Sequence, residues 1–144
     1  MEMEYAEMWE RGDETRALFR TARELDLVLE KAKTVEEGVE KARKVIRERF
    51  GKYEVDEKLL MGMFGISMDE AKRFLDGFRE WVETNVASLG GIVILFSPYT
   101  RWFYLVIGGC NKITKACVVT FEIYNRGRME DEIRWRLGKC KKYY

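Results

Sequence analysis

The chain has 144 residues, 47% of them apolar and 13% aromatic, which supplies the core of one ordinary domain and excludes disorder. Charged residues reach 35%, yet 26 bases against 25 acids leave a net charge of only +1. Histidine is absent, so Ser-His-Asp and Cys-His triads, histidine zinc sites and imidazole general bases are all excluded.

The first half reads as helical. Gly12-Asp13 interrupts a short opening helix, and Asp13 is placed to cap the next one. Leu18, Ala22, Leu25, Leu29 and Ala32 then form one stripe of an amphipathic helix. Thr34-Val35-Glu36-Glu37 is a capping box that starts another helix immediately, with Val35, Val39, Ala42, Ile46 and Phe50 on one face and Gly51 as its C-terminal cap. So short a connection predicts an antiparallel helical hairpin; the same stripes could also zip against a second copy. Asp56 can cap a segment containing Leu59, Leu60, Met63 and Phe64. Ser67-Met68-Asp69-Glu70 is a second capping box, opening a helix that buries Ala71, Phe74, Leu75, Phe78 and Val82 and reaches Ala87. Leu89-Gly90-Gly91 stops it.

Beyond Gly91 the period changes to two. Ile92 to Phe96 is a continuous apolar strand, Pro98-Tyr99 turns, and Arg101 to Ile107 returns. Gly108-Gly109-Cys110-Asn111 predicts the next turn. The third strand alternates, with Ile113, Cys117, Val119, Phe121 and Ile123 on one face and Thr114, Thr120, Glu122 and Tyr124 on the other. A sheet with one buried face follows, and Arg128 to Leu137 forms a last helix ended by Gly138. The fold class is therefore α+β in a single domain, residues 1–144. About four helices occupy 1–88, a three-stranded antiparallel β-meander occupies 91–124, and a C-terminal helix occupies 128–138.

Composition and targeting signals bear on the setting. Glutamine is absent and asparagine occurs only at Asn85, Asn111 and Asn125, a bias expected of a protein from a very hot environment; an archaeal or mobile-element protein is the accompanying expectation. Met1 to Glu14 is acidic and lacks the apolar segment of a signal peptide. Leu89 to Gly109 has the length of a membrane span, but Ser97-Pro98-Tyr99-Thr100 at its centre suits a hairpin turn and not a helix. Cys110, Cys117 and Cys140 form no C-x-x-C pair; small thiols are the plain reading, and a Cys110–Cys140 bridge is the alternative. The expectation is a cytoplasmic protein without cofactor, metal or membrane contact.

Leu59-Leu60-Met61-Gly62-Met63-Phe64-Gly65-Ile66-Ser67-Met68-Asp69-Glu70-Ala71-Lys72-Arg73-Phe74-Leu75 resembles a helix-turn-helix, with Gly65 as the left-handed turn residue. The hairpin after it would correspond to the wing of a winged-helix domain, the resemblance covering roughly residues 55–107. It implies that the second helix, with Lys72, Arg73 and Arg79, meets DNA. Asp69 and Glu70 at its start equally suit an ordinary capped helix in water.

Charge is unevenly distributed. Residues 1–97 carry 16 bases and 21 acids (−5), and residues 98–144 carry 10 bases and 4 acids (+6), which together give the net +1. Such a chain can pair with itself or present its basic end to an anion. Tyr99, Arg101, Trp102, Tyr104, Tyr124, Arg126 and Arg128 form an aromatic–arginine constellation. If Phe103, Leu105 and Ile107 face the core, Trp102, Tyr104 and Val106 lie opposite, and Tyr124 can join them. Those rings suit base stacking, a protein interface, or cover by a helix. Arg134, Arg136, Lys139, Lys141 and Lys142 form a basic tail.

Enzymatic readings fare poorly. Asp56-Glu57-Lys58 has a nuclease-like D-x-K spacing but opens a helix, no phosphate loop occurs, and only Lys112 or Lys115 could activate a thiol. The expected function is a small non-catalytic binding protein, a nucleic-acid-binding regulator acting as a homodimer through its basic C-terminal half. The competing class is an interaction or assembly module binding through Tyr99, Trp102, Tyr104 and Tyr124 or through the helical stripes.

Overall fold

A computed structural model describes residues 2–85, 89–110 and 117–139. The architecture is α+β: helices come first, then a three-stranded antiparallel sheet in the order β1-β2-β3, then a C-terminal helix. The elements are α1 (Glu2–Glu10), α2 (Glu14–Lys31), α3 (Val35–Phe50), a 3-10 turn (Gly51–Tyr53), α4 (Glu57–Phe64), α5 (Met68–Asn85), β1 (Leu89–Phe96), β2 (Phe103–Cys110), β3 (Cys117–Tyr124) and α6 (Arg126–Arg136). Five α-helices, one more than the expected four, precede the sheet.

Local signals account for most helix ends. Thr34 Oγ1 accepts from the Glu37 N–H at 3.1 Å, and Asp56 Oδ1 from the Leu59 N–H at 2.9 Å. In the Ser67–Glu70 box the Glu70 N–H donates to Ser67 Oγ, and the Ser67 N–H donates back to Glu70 Oε1, both at 3.1 Å. Gly65 ends α4 in the left-handed region, φ +66°, its N–H reaching the Met61 carbonyl at 3.0 Å. Three ends differ from expectation. Asp13 precedes α2 but makes no side-chain cap and pairs with Arg16 instead. Gly51 keeps right-handed helical angles, so α3 tightens into the 3-10 turn instead of stopping. The last helix starts at Arg126, two residues early, because Asn125 Oδ1 accepts from the Arg128 N–H at 2.8 Å.

The sheet is covered on both faces, which corrects the expectation of one buried face. On one side Val93, Leu95, Tyr104 and Val106 pack with Trp9 of α1, Leu18 and Leu25 of α2, and Val39, Ile46 and Phe50 of α3. On the other, Ile92, Ile94, Phe103 and Leu105 pack with Leu60 of α4, Phe74, Leu75 and Phe78 of α5, and Met129 and Ile133 of α6. The unbroken apolar runs of β1 and β2 follow from this, since residues of either parity meet a helix layer. Each such side chain contributes about 1.5–3 kcal/mol by leaving water.

Register gives a second correction. The expected turn at Gly108–Asn111 is strand through Cys110, and Gly90 and Gly91 pair across with Gly109 and Gly108. Leu89-Gly90-Gly91 therefore opens β1 as well as following α5. The missing side chains at this end leave a small apolar pocket of about 20 Å³ under Leu25, Leu29 and Ile46, room for one water-sized molecule. Cys110 and Cys117 stand opposite each other in the β2–β3 register; Cys140, and with it the Cys110–Cys140 bridge, lies outside the described residues. Ile113, Thr114, Lys112, Lys115, Asn111 and Ala87 also lie outside them.

Between α1 and α2, Gly12 adopts φ +86°, and a methyl group there would run into the Tyr99 ring. Gly12→Ala is expected to cost about 1–2 kcal/mol from the left-handed backbone alone. Gly51→Ala, at φ −58° with open space around it, should be neutral or slightly stabilising. Thermal melts of the two variants make the comparison, and equal melting temperatures would contradict it.

Candidate interaction surface

The aromatic constellation does not assemble on one face. Tyr104 and Tyr124 occupy opposite sides of the sheet, since Tyr104 pairs with Ile123 and Tyr124 with Phe103 in the β2–β3 register. Tyr104 is only 2% exposed, edge-on to Trp9 with ring centroids 5.0 Å apart, and burial raises its pKa above the ordinary phenol value. Tyr124, 8% exposed, lies beneath Arg128, whose guanidinium sits 3.8 Å from the ring centre; burial again raises the phenol's pKa. Both rings are enclosed by the chain's own helices, so the outward-facing placement of Tyr104 and Tyr124 is corrected. Tyr99 (67% exposed) and Trp102 (45% exposed) do remain on the surface, at the β1–β2 turn.

That turn is held by a buried polar cluster that the sequence does not announce. Ser97 Oγ donates to the Glu14 carboxylate, both groups being buried, and accepts from the Thr100 N–H at 3.3 Å. The Arg101 N–H donates to the Ser97 carbonyl at 2.7 Å, and Trp9 Nε1 donates to the Phe96 carbonyl at 3.1 Å. Arg101 takes φ +60° there, with its guanidinium 5.9 Å from the Phe96 ring centre. A second clasp binds α1 to the 3-10 turn. Tyr53 Oη donates to Glu10, and burial with that bond pushes the phenol's pKa up to about 12.

The basic candidates are largely engaged within the chain. Arg79 turns toward Glu54 at 3.7 Å, and Glu54 also holds Arg47 at 3.1 Å; Arg79 Nε is buried. Arg126 Nη2 donates to the Met63 carbonyl at 3.0 Å, tying α6 to α4. Arg128 also approaches Glu122 at 3.9 Å, and Arg134 pairs with Glu130 at 2.9 Å. Arg136 is mostly buried: it pairs with Glu132 at 2.7 Å and stacks against Phe78, Trp81 and Trp135 at 4.5, 5.0 and 5.3 Å. Lys139 meets Glu70 at 2.7 Å, which holds that carboxyl below its usual pKa. Lys72 and Arg73 are exposed on α5, and Arg73 lines an open cleft of about 470 Å³ with Gly77, Trp135 and Arg136. Lys141 and Lys142 lie outside the described residues.

The sequence-predicted helix pair is present as α4 and α5, and α5 turns Ala71, Phe74, Leu75, Phe78 and Val82 into the core. Among the described residues no cluster of three or more His, Cys, Asp or Glu could hold a metal, and no helix is long and apolar enough to cross a membrane. What the surface offers instead is a set of large exposed apolar side chains: Phe19 and Leu27 on α2, Met68 and Trp81 on α5, Tyr99 and Trp102 at the turn, and Ile123 on β3. Phe19 and Leu27 stand outside the α2 stripe that pointed to the core, so core periodicity alone passes over them. Compared with family models, curated proteins and solved structures, the chain matches none.

Proposed function

We propose that the chain is a small non-catalytic binding protein whose partner is protein, an interaction or assembly module. Its composition points to an intracellular, heat-adapted setting. One observation carries the reading. Arg79, Arg126, Arg128, Arg136 and Lys139 are engaged with acids, carbonyls or rings of the same chain, while the large apolar side chains of Phe19, Leu27, Tyr99 and Trp102 stay exposed. Exposed Trp, Tyr and Phe beside arginine are the residue types that dominate protein interfaces.

A nucleic-acid-binding regulator is the second reading, favoured by the exposed Lys72 and Arg73 beside the cleft at Trp135 and by the exposed Arg101. Fluorescence anisotropy with random-sequence duplex DNA at about 50 and 200 mM salt separates the two. Binding through many phosphates weakens by orders of magnitude over that range. The protein-binding reading expects no saturable signal at either salt. Tight low-salt binding that collapses at high salt and is lost in a Lys72→Ala/Arg73→Ala variant would replace it with the regulator reading.

A further inference from the structure

We infer that the outer edge of β3 is a homodimer interface, on which a second copy of this chain adds its own β3 antiparallel to form a continuous six-stranded sheet. This rests on the protein-binding reading and names its partner.

The two edges of the sheet are treated differently. Beside β1 the chain covers its own edge: Glu54 forms a bridge with Leu95, and the Val55 N–H donates to the Ile94 carbonyl at 2.8 Å. Beyond β3, among the described residues, no strand pairs. Solitary edge strands are normally protected by charged side chains, lysine above all, by proline, a bulge or brevity, or by a covering helix or loop. The eight residues Cys117–Tyr124 contain neither lysine nor proline, pair with β2 without a bulge, and carry Glu122 as their one charge. A strand edge offers rows of backbone donors and acceptors that another strand satisfies best.

The apolar groups around this edge indicate the occupant. On the α2 side Phe19, 59% exposed, stands edge-on to Phe121 with centroids 5.4 Å apart, and Ile123 is exposed beside it. A two-fold axis perpendicular to the sheet keeps each copy's faces aligned, so the register must place residues of like parity opposite one another. Centred on Phe121, it sets Phe121 against its own copy, Val119 against Ile123, and Thr120 against Glu122. Apolar groups then meet on the α2 side, and no like charges face each other. Centred on Glu122 instead, the two carboxylates would oppose, which is destabilising.

Sedimentation-velocity and light-scattering measurements on the full chain, over about 1–200 µM, test this; the expected species has twice the monomer mass. Ile123→Lys and Phe19→Lys change exposed side chains and should raise the dimer dissociation constant at least about tenfold, with circular dichroism and melting of the monomer retained. Register is read by charge at the exposed Thr120. Thr120→Glu, facing Glu122 twice across the axis, should weaken the dimer about tenfold, and Thr120→Lys should leave it intact or tighten it. A monomer throughout that range, or a dimer indifferent to Ile123→Lys and Phe19→Lys, overturns the inference. Equal effects of Thr120→Glu and Thr120→Lys overturn the Phe121-centred register. None of these outcomes involves DNA, so the salt experiment judges the protein-binding reading separately.

Discussion

Replacing Trp9 by alanine is expected to remove about 3–5 kcal/mol of folding stability, the range for truncating a large buried aromatic ring. Trp9 is fully buried on a helix of only nine residues, and it joins four parts of the chain. Its ring lies 5.3 Å from Phe50 of α3, 6.0 Å from Tyr53 and 5.0 Å from Tyr104 of β2, while Nε1 donates to the Phe96 carbonyl. Alanine would leave a cavity among three rings and an unpaired carbonyl beside the β1–β2 turn. Trp9→Phe keeps most of the volume and loses the hydrogen bond, so it should cost about 1–2 kcal/mol. Urea unfolding of the three proteins measures both. A loss below about 1 kcal/mol for the alanine variant would mean that α1 is peripheral. For a domain of ordinary stability the full loss is a large fraction of the total.

Glu14→Ala should cost about 2–3 kcal/mol, because it strips the acceptor from Ser97, a hydroxyl with no access to water. A hydrogen bond to a carboxylate is worth more than a neutral one, and the alternative partners for Ser97 lie within its own turn. Glu14→Gln retains an acceptor oxygen and should lose about 1 kcal/mol or less, part of it the favourable placement of a negative charge in the first turn of α2. Ser97→Ala takes a hydroxyl donor away from the buried Glu14 carboxylate and should cost about as much as Glu14→Ala. The double variant Glu14→Ala/Ser97→Ala should fall short of the sum of the singles, since the two side chains act on one contact. Hydrogen exchange adds a local reading: the Thr100 and Arg101 amides, tied to Ser97, should exchange faster in Glu14→Ala while those of α5 do not change. Additive losses would show that the two residues stabilise the fold independently.

Both residues illustrate what local pattern can and cannot reach. The Ser67–Glu70 box, the Thr34 and Asp56 caps and the left-handed Gly65 were legible because their partners lie three or four positions away. Asp13 shows the limit of that logic, since a residue type suited to a cap pairs with Arg16 instead and leaves the cap unmade. Among the candidate site residues, Tyr99 lies in the expected turn, and Trp102, expected on the returning strand, sits exposed just before β2, whereas Tyr104 and Tyr124 share no face and are covered by helices, one of the three alternatives the pattern leaves open. The alternation of β3 suggested that face, because an edge strand is only partly covered: Val119 and Phe121 meet α2, while Thr120 and Glu122 on the other side face solvent. β1 and β2 carried the contrary signal in being apolar at both parities.

The sequence by itself determined the order of elements, most helix caps, the α+β class and the absence of histidine chemistry, all of which depend on residue type and short-range spacing. Only the tertiary structure decided that helices cover both sheet faces, that Arg136 packs among rings while Arg73 stays in solvent, and that among the described residues β1 is bridged at its edge while no strand pairs beyond β3. Those outcomes depend on contacts between residues such as Trp9 and Phe96, or Glu14 and Ser97, which lie 87 and 83 positions apart. No periodicity in the chain encodes such pairs, because they form only when separate helices pack onto the same sheet.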